Sequence, residues 1–227
     1  MNIEVITTSD GSHSLINNDL NETYHSTHGA IRESLHVFIK NGLQFWIEKN
    51  SSKEISILEV GFGTGLNALL ALHESLKSEL KFQYTTIEIF PVAIELVDQL
   101  NYAQQLNFES ANKYFQELHL SEWNTRISIT SNFVLEKREG KIQEMNFPDE
   151  AFDVVFFDAF APNKQPEMWE RPVLEKITKA MKSNSTFVTY CAKGQLKRDL
   201  KSLGLQVETL AGPPGKREMV RAMKINQ

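Results

Sequence analysis

Apolar positions change their period several times along this chain, and each change marks an element. Ile3 to Ile16 reads as a small hairpin, because Asp10-Gly11 is a favoured two-residue turn. Ile31, Leu35, Phe38 and Phe45 then recur at helical spacing, interrupted at Asn41-Gly42, so a helix runs through the thirties and forties. Residues 1–50 form a preface on this reading, a hairpin and a helix, and residues 51–227 form the main domain. That domain opens on a short apolar strand, Ile55 to Val60, followed by Gly61-Phe62-Gly63-Thr64-Gly65 and the strong helix former Leu66 to Leu72.

The alternation continues. A strand spans Phe82 to Ile89, Pro91 opens a helix, and a polar helical stretch runs through Glu117. Arg126 to Thr130 and Phe133 to Lys137 flank Ser131-Asn132 as a hairpin. Phe152 to Phe157 is apolar at nearly every position, the pattern of a strand buried on both faces. A helix from Pro172 to Met181, a strand from Thr186 to Cys191, a helix from Gln195 to Leu203 and two closing strands complete the chain. Strands alternating with helices predict an α/β fold: a mostly parallel sheet, helices on both faces and a C-terminal antiparallel hairpin. Ligands in such folds sit beyond the carboxyl ends of the strands.

Composition narrows the function classes. Cys191 is the only cysteine, which rules out an intrachain disulfide and points to a reducing compartment. The first residues lack a basic start and a long apolar run, and no window approaches a membrane span, so a soluble, cytoplasmic protein is expected. The net charge of -5 argues against non-specific nucleic-acid binding by the whole surface, but the charge is uneven. Residues 191–227 carry a local +5, leaving -10 elsewhere. Lys197, Arg198, Lys216 and Arg217 lie in that basic stretch.

Three anchors carry candidate chemistry. Glu59-Val60-Gly61-Phe62-Gly63-Thr64-Gly65 places glycines at a strand-to-helix turn, where a ligand can touch backbone. A dinucleotide fingerprint would need its third glycine at Leu66, so that reading fails. The acid two residues before the first glycine is the form found in Rossmann-like methyltransferases, and it makes Glu59, Gly61, Phe62, Gly63 and Gly65 cofactor candidates. Glu88 closes the next strand, where a carboxylate can accept both ribose hydroxyls. Asp158 ends the buried strand and is followed by Ala159-Phe160-Ala161-Pro162, an apolar neighbourhood able to raise its pKa. His25-x-x-His28 has metal-ligand spacing, but no cysteine or acid cluster supports it, so no metal is expected.

On these residues the chain resembles the methyltransferase domain of the bacterial tRNA enzymes that form 5-methylaminomethyl-2-thiouridine at the wobble position. The resemblance runs through Tyr24-His25-Ser26, Glu33 to Phe38, Glu59 to Gly65, Glu88 to Pro91, Asp158 to Pro162 with Met168-Trp169, and Lys216 to Met219. It implies a Rossmann-like class I methyltransferase fold and S-adenosylmethionine as methyl donor. Asp158 and Phe160 become the catalytic pair: Asp158 orients the substrate amine and takes its proton, while Phe160 packs on the uracil ring. Tyr24, His36, Ala159, Pro162 and Trp169 become substrate-pocket candidates, with the Ala159 carbonyl taking a second amine hydrogen. Two departures stand out. The Gly-Asp pair that holds adenine in the family is matched here only by Gly140-Lys141. No flavin-oxidase domain accompanies the chain, so no flavin is expected and a separate enzyme would supply the aminomethyl substrate.

The resulting expectation is methyl transfer to the 5-aminomethyl group of a wobble uridine, with the tRNA anticodon region docking on the basic C-terminal third and no membrane partner. The rival readings are an aminopropyltransferase resembling spermidine synthase, a methyltransferase of small metabolites, and a non-catalytic binding module on the same fold.

Overall fold

The computed structural model describes residues 2–225. Strands β1 (Ile3–Thr7), β2 (His13–Asn17) and β3 (Glu22–Thr23) form a small antiparallel sheet in that order. The turn after β1 is not a two-residue one: Thr7 pairs with His13, leaving residues 8–12 as the loop. Asp10 accounts for the difference. One of its carboxylate oxygens accepts the Ser12 N–H at 3.0 Å and the Thr8 hydroxyl at 2.8 Å, and the other accepts the Arg32 N–H at 3.0 Å. One acid thus closes the loop and satisfies an amide in the first turn of the next helix.

That helix begins as α1 (Ala30–Ser34), continues as a π-helical stretch (Leu35–Gln44) and ends as α2 (Phe45–Lys49). Asn41-Gly42 does not interrupt it. Gly42 lies where the helix meets the sheet, and a β-carbon there would stand 2.7 Å from Val188 Cγ2 and 3.3 Å from Phe156 Cε1. The glycine serves close packing here.

The main sheet is built from β4 (Glu54–Val60), β5 (Lys81–Glu88), β6 (Arg126–Thr130), β7 (Phe133–Glu139), β8 (Phe152–Phe157), β9 (Met181–Thr189), β10 (Gln206–Ala211) and β11 (Glu218–Lys224). Their spatial order is β10-β11-β9-β8-β4-β5-β7-β6. The five central strands are parallel, while β6 and the β10–β11 hairpin pair antiparallel at the two edges. Helices α3 (Leu66–Leu76), α4 (Ile94–Val97), α5 (Tyr102–Leu106), α6 (Ala111–Leu120), α7 (Arg171–Ala180) and α8 (Gly194–Ser202) fill the connections.

Two expected elements move. Pro91 opens no helix; the chain stays non-helical through Ala93, and short helices α4 and α5 precede α6. Met181 starts β9 instead of ending α7, because it pairs with Phe152, and the polar run Lys182 to Ser185 is strand. Tyr190 and Cys191 have already left the sheet and face the site end.

Side chains of β8 alternate between two cores. Val154 and Phe156 join α3, α6 and the π-helical stretch on one face; Phe152, Val155 and Phe157 join α7 and α8 on the other. Each such fully buried side chain contributes about 1.5–3 kcal/mol. The first core also takes Leu15 and Trp46, so the N-terminal segment packs into the same core as the sheet. The strand order reverses between β4 and β8, and the crevice beyond their carboxyl ends is the site.

Candidate active site

After β4 the chain turns sharply at Gly61, whose φ of 94° favours glycine. The N–H groups of Gly61 and Phe62 both donate to the Ile87 carbonyl, at 3.0 and 3.3 Å. Glu88 then fixes the turn. Its Oε2 accepts the Gly63 N–H at 3.0 Å, and its Oε1 accepts the N–H groups of Ile89 and Phe90, each at 2.9 Å. Burial raises the Glu88 pKa, and these three amides oppose the rise. The carboxylate lines the cavity with one lone pair to spare, on Oε2, so it can accept one ribose hydroxyl where the sequence suggested both.

Thr64 is held from two sides by histidines, His25 buried and His119 half-buried. His25 Nε2 lies 2.7 Å from its hydroxyl, and His119 Nε2 donates to its carbonyl at 3.1 Å. Burial pushes both imidazoles down to about 4, so both are neutral at physiological pH. The His119 ring packs 5.1 Å from the Phe62 ring. Beneath them Lys137 donates to the His119 carbonyl at 2.6 Å and lies 4.6 Å from the Trp123 ring centre. Burial brings that lysine down to about 8.

Asp158 stands at the end of β8, anchored by its N–H to the Val60 carbonyl at 2.9 Å. Asn67 Nδ2 donates to Asp158 Oδ2 at 2.8 Å. Burial pushes the carboxyl up to about 7, helped by Glu33, while the Asn67 hydrogen bond and Lys216 oppose it. Lys216 Nζ is ion-paired to buried Glu33 at 2.6 Å and sits 3.7 Å from the Tyr190 ring centre. The Tyr190 hydroxyl donates to the Ala159 carbonyl at 2.8 Å. Phe160 meets Tyr24 edge to face at 5.0 Å.

The opposite wall is the loop after β7, Gly140 to Glu144. Lys176 of α7 reaches up and donates to the carbonyls of Ile142, Gln143 and Met145. The Lys141 carbonyl accepts the Glu144 N–H at 2.9 Å. With the carbonyls so occupied, the N–H groups of Lys141, Ile142 and Gln143 have no acceptor among the described residues. Lys141 and Gln143 are exposed, so these donors in the cavity wall are open to solvent or to a ligand's lone pair. Together these walls enclose about 730 Å³, enough for a nucleoside-sized ligand and part of a second one.

A profile of the S-adenosyl-L-methionine-dependent methyltransferases matches residues 97–225. The chain belongs to this family. The Idiomarina loihiensis tRNA 5-methylaminomethyl-2-thiouridine biosynthesis bifunctional protein MnmC is 28% identical over 218 residues, covering 90% of this chain and 36% of that protein. The Marinomonas protein of the same name is 30% identical over 217 residues, covering 89% and 31%. The chain thus spans about a third of the curated relatives it matches. A crystal structure of MnmC2 from Aquifex aeolicus superposes with a TM-score of 0.79 at 27% identity, covering all of this chain and 71% of that one.

In this methyltransferase the cavity gathers Tyr24, Gly61, Phe62, Gly63, Glu88, Asp158, Ala159 and Phe160, as the sequence leads one to expect. Other candidates lie elsewhere. Glu59 is fully buried behind the wall, where its Oε2 accepts the Thr86 hydroxyl at 2.7 Å. Gly65 backs onto His119 at the start of α3. His36 bonds the Ala211 carbonyl at 2.8 Å, tying the first helix to the C-terminal hairpin. Trp169 packs on Phe157 and donates to the Phe160 carbonyl at 2.8 Å, so it supports the pocket from behind. Pro162 is half-buried in the same loop and does not reach the cavity wall.

The basic candidates divide. Lys216 is committed to Glu33, and Lys197 leans on Glu218 and Thr209, at 3.4 Å each. Arg198 bonds only the neighbouring Gln195 side chain, and Arg217 is exposed. Sequence reasoning missed Asn67, Tyr190, Glu33 and Lys164, whose Nζ donates to the Leu20 carbonyl across the cavity mouth at 2.8 Å. Tyr190 and Asn67 had a signal, since each lies just past a strand end or in the first turn after the glycine loop.

Proposed function

We propose that this methyltransferase acts on the primary amine of a 5-aminomethyl uridine at the wobble position of tRNA, with S-adenosylmethionine as donor and no metal or flavin. The residues fit the donor. Glu88 keeps one lone pair, on Oε2, for a ribose hydroxyl, and the unpartnered N–H groups of residues 141–143 suit the ring nitrogens of a purine. Those amides would hold the adenine by donating to its ring nitrogens, a different contact from the acceptor that an acid at position 141 would offer the amino group. Bound there, S-adenosylmethionine supplies an electrophilic methyl group on a sulfonium.

The observation that carries the substrate reading is Asp158. A primary amine is mostly an ammonium ion at neutral pH and cannot attack until it loses a proton. A carboxyl near pKa 7 at the cavity floor can hold that ammonium, take its proton and leave the nitrogen lone pair aimed at the methyl carbon. The N–C bond forms as the C–S pair returns to sulfur, and the proton stays on Asp158. The Tyr24–Phe160 edge offers an aromatic face for a base flipped from the anticodon stack, an extrusion costing a few kcal/mol. The Ala159 carbonyl, already accepting from Tyr190, retains a second lone pair for the amine. RNA docks on the basic C-terminal third, oriented by the acidic remainder. A separate enzyme supplies the aminomethyl group. No helix among the described residues is long and apolar enough to cross a membrane.

The decisive experiment incubates the protein with labelled S-adenosylmethionine and total tRNA that carries the 5-aminomethyl group but not its methyl, then digests the RNA to nucleosides. Label in 5-methylaminomethyl-2-thiouridine is expected. Label only in polyamines or small metabolites, or none anywhere, overturns the reading.

A further inference from the structure

Behind the Asp158 carboxylate lies a buried polar group that the proposed chemistry has not yet used. Asn67, in the first turn of α3, is almost wholly buried and donates from Nδ2 to Asp158 Oδ2 at 2.8 Å. The same side chain lies against the carboxylate of Glu59, which Tyr84 also faces from β5. Three atoms in this nook have no hydrogen-bond partner: Glu59 Oε1, Asn67 Oδ1 and the Tyr84 hydroxyl. An apolar side chain at position 67 would fill the nook without burying an amide, so packing alone does not explain the asparagine.

We propose that Asn67 is a positioning residue for Asp158: lying between Glu59 and Asp158, its amide fixes Oδ2 and leaves Oδ1 as the oxygen that accepts the substrate proton. The inference rests on the reading of Asp158 as proton acceptor. An amide N–H donates to an ionised carboxylate better than to a protonated one, so Asn67 favours the form of Asp158 that can receive a proton. The other groups facing Asp158 are Glu33 from α1, Glu59 from β4, Tyr84 from β5, Tyr190 beyond β9 and Lys216 from the last turn; of these only Lys216 also favours the anion. Without Asn67 the carboxylate keeps one stabilising partner and is free to rotate.

The test needs no substrate. The whole chain is labelled with carboxyl-carbon-13 aspartate, the Asp158 signal is identified by its loss in Asp158→Asn, and its titration is followed by NMR. Asn67→Leu removes the amide at nearly constant volume and should raise the Asp158 midpoint by about one unit, tenfold in proton affinity. Asn67→Ala should shift it the same way should the leucine variant fail to fold. Binding of S-adenosylhomocysteine should stay within about twofold, as for a residue that leaves the cofactor walls alone. Mere loosening of the core admits water and lowers the midpoint, so an unchanged or lowered value in folded protein overturns the proposal. A raised midpoint in protein that methylates no RNA would sustain the role of Asn67 while overturning the RNA reading.

Discussion

A β-carbon on Gly61 would stand 2.7 Å from the backbone carbonyl oxygen of Asp158, closer than atoms can pack. The glycine loop after β4 and the end of β8 therefore touch main chain to main chain. Their spacing is set by backbone alone, and in-line transfer depends on that spacing.

Asp158→Asn should lower methyl transfer by about 10²–10⁴-fold at neutral pH, the usual worth of a positioned proton acceptor. In the wild type, kcat/KM should rise with pH through about 7, because only the ionised carboxyl accepts a proton. Stability runs the other way. A carboxyl raised in the folded state favours folding below its unfolded pKa and loses that contribution as pH rises through about 7. Asp158→Asn should therefore melt above wild type at pH 8, with the gap closing towards pH 4. Thermal scans across that window together with rates check both signs.

Glu88→Ala should weaken binding of S-adenosylmethionine by about 1.5–3 kcal/mol, the range for hydrogen bonds to a charged group. Part of the loss comes from the Gly63, Ile89 and Phe90 amides, which lose their shared acceptor. Calorimetry should find Glu88→Gln intermediate, since it keeps one acceptor oxygen. Equal affinity in all three proteins would remove Glu88 from the donor site.

The two histidines that grip Thr64 make an acid limit. Each is depressed from 6.5 to about 4, so its stabilising neutral form is fully present above 6.5 and lost as pH falls towards 4. The melting temperature should decline across that interval, and donor affinity with it. The double variant His25→Gln, His119→Gln should show a flatter profile; a profile as steep as wild type would place the acid sensitivity elsewhere.

Gly42→Ala should destabilise the protein by about 1–3 kcal/mol from overpacking. That outweighs the gain in helix propensity, at most about 1 kcal/mol. Adding Val188→Ala should recover part of the loss, because Val188 Cγ2 is the atom in the way. Chemical denaturation of the two single variants and the double one measures the coupling; strict additivity would mean the clash is relieved by other means.

Reversing Lys197 and Arg198 to Glu should raise the KM for tRNA and leave donor binding intact. The salt dependence should flatten by somewhat less than one unit of slope per lost phosphate contact. Part of any effect at Lys197 comes from Glu218, so Arg198→Glu alone is the cleaner variant. Identical KM and slope would leave exposed Arg217 at the cavity end as the next position to reverse.

The parallel sheet was legible because β4 and β8 are apolar on both faces, and the glycine loop and Asp158 were legible because strand ends carry chemistry. Lys182 to Ser185 hid the first half of β9, since pairing with β8 overrides their polarity. Gly42 misled because a glycine in a helical pattern reads the same whether it breaks the helix or lets it approach a sheet. His36 and Trp169 fall inside matching stretches yet face away from the cavity, which a motif does not reveal. Asn67 and Lys176 act on partners about ninety and thirty residues distant in sequence, beyond any local period.

Lys176 has a consequence for how this chain tolerates change. On the proposed donor site the wall it braces would meet the ligand with main-chain amides, which every residue except proline possesses. Position 141 is thus free to drift in side chain while the surface it offers stays the same, whereas the Gln143 side chain also donates to the Glu167 carbonyl at 3.2 Å. The tolerance ends at Lys176 itself, the side chain that holds the carbonyls of Ile142, Gln143 and Met145. Variation should therefore be permissive beside the ligand and strict a helix away from it, the reverse of what proximity alone would lead one to expect.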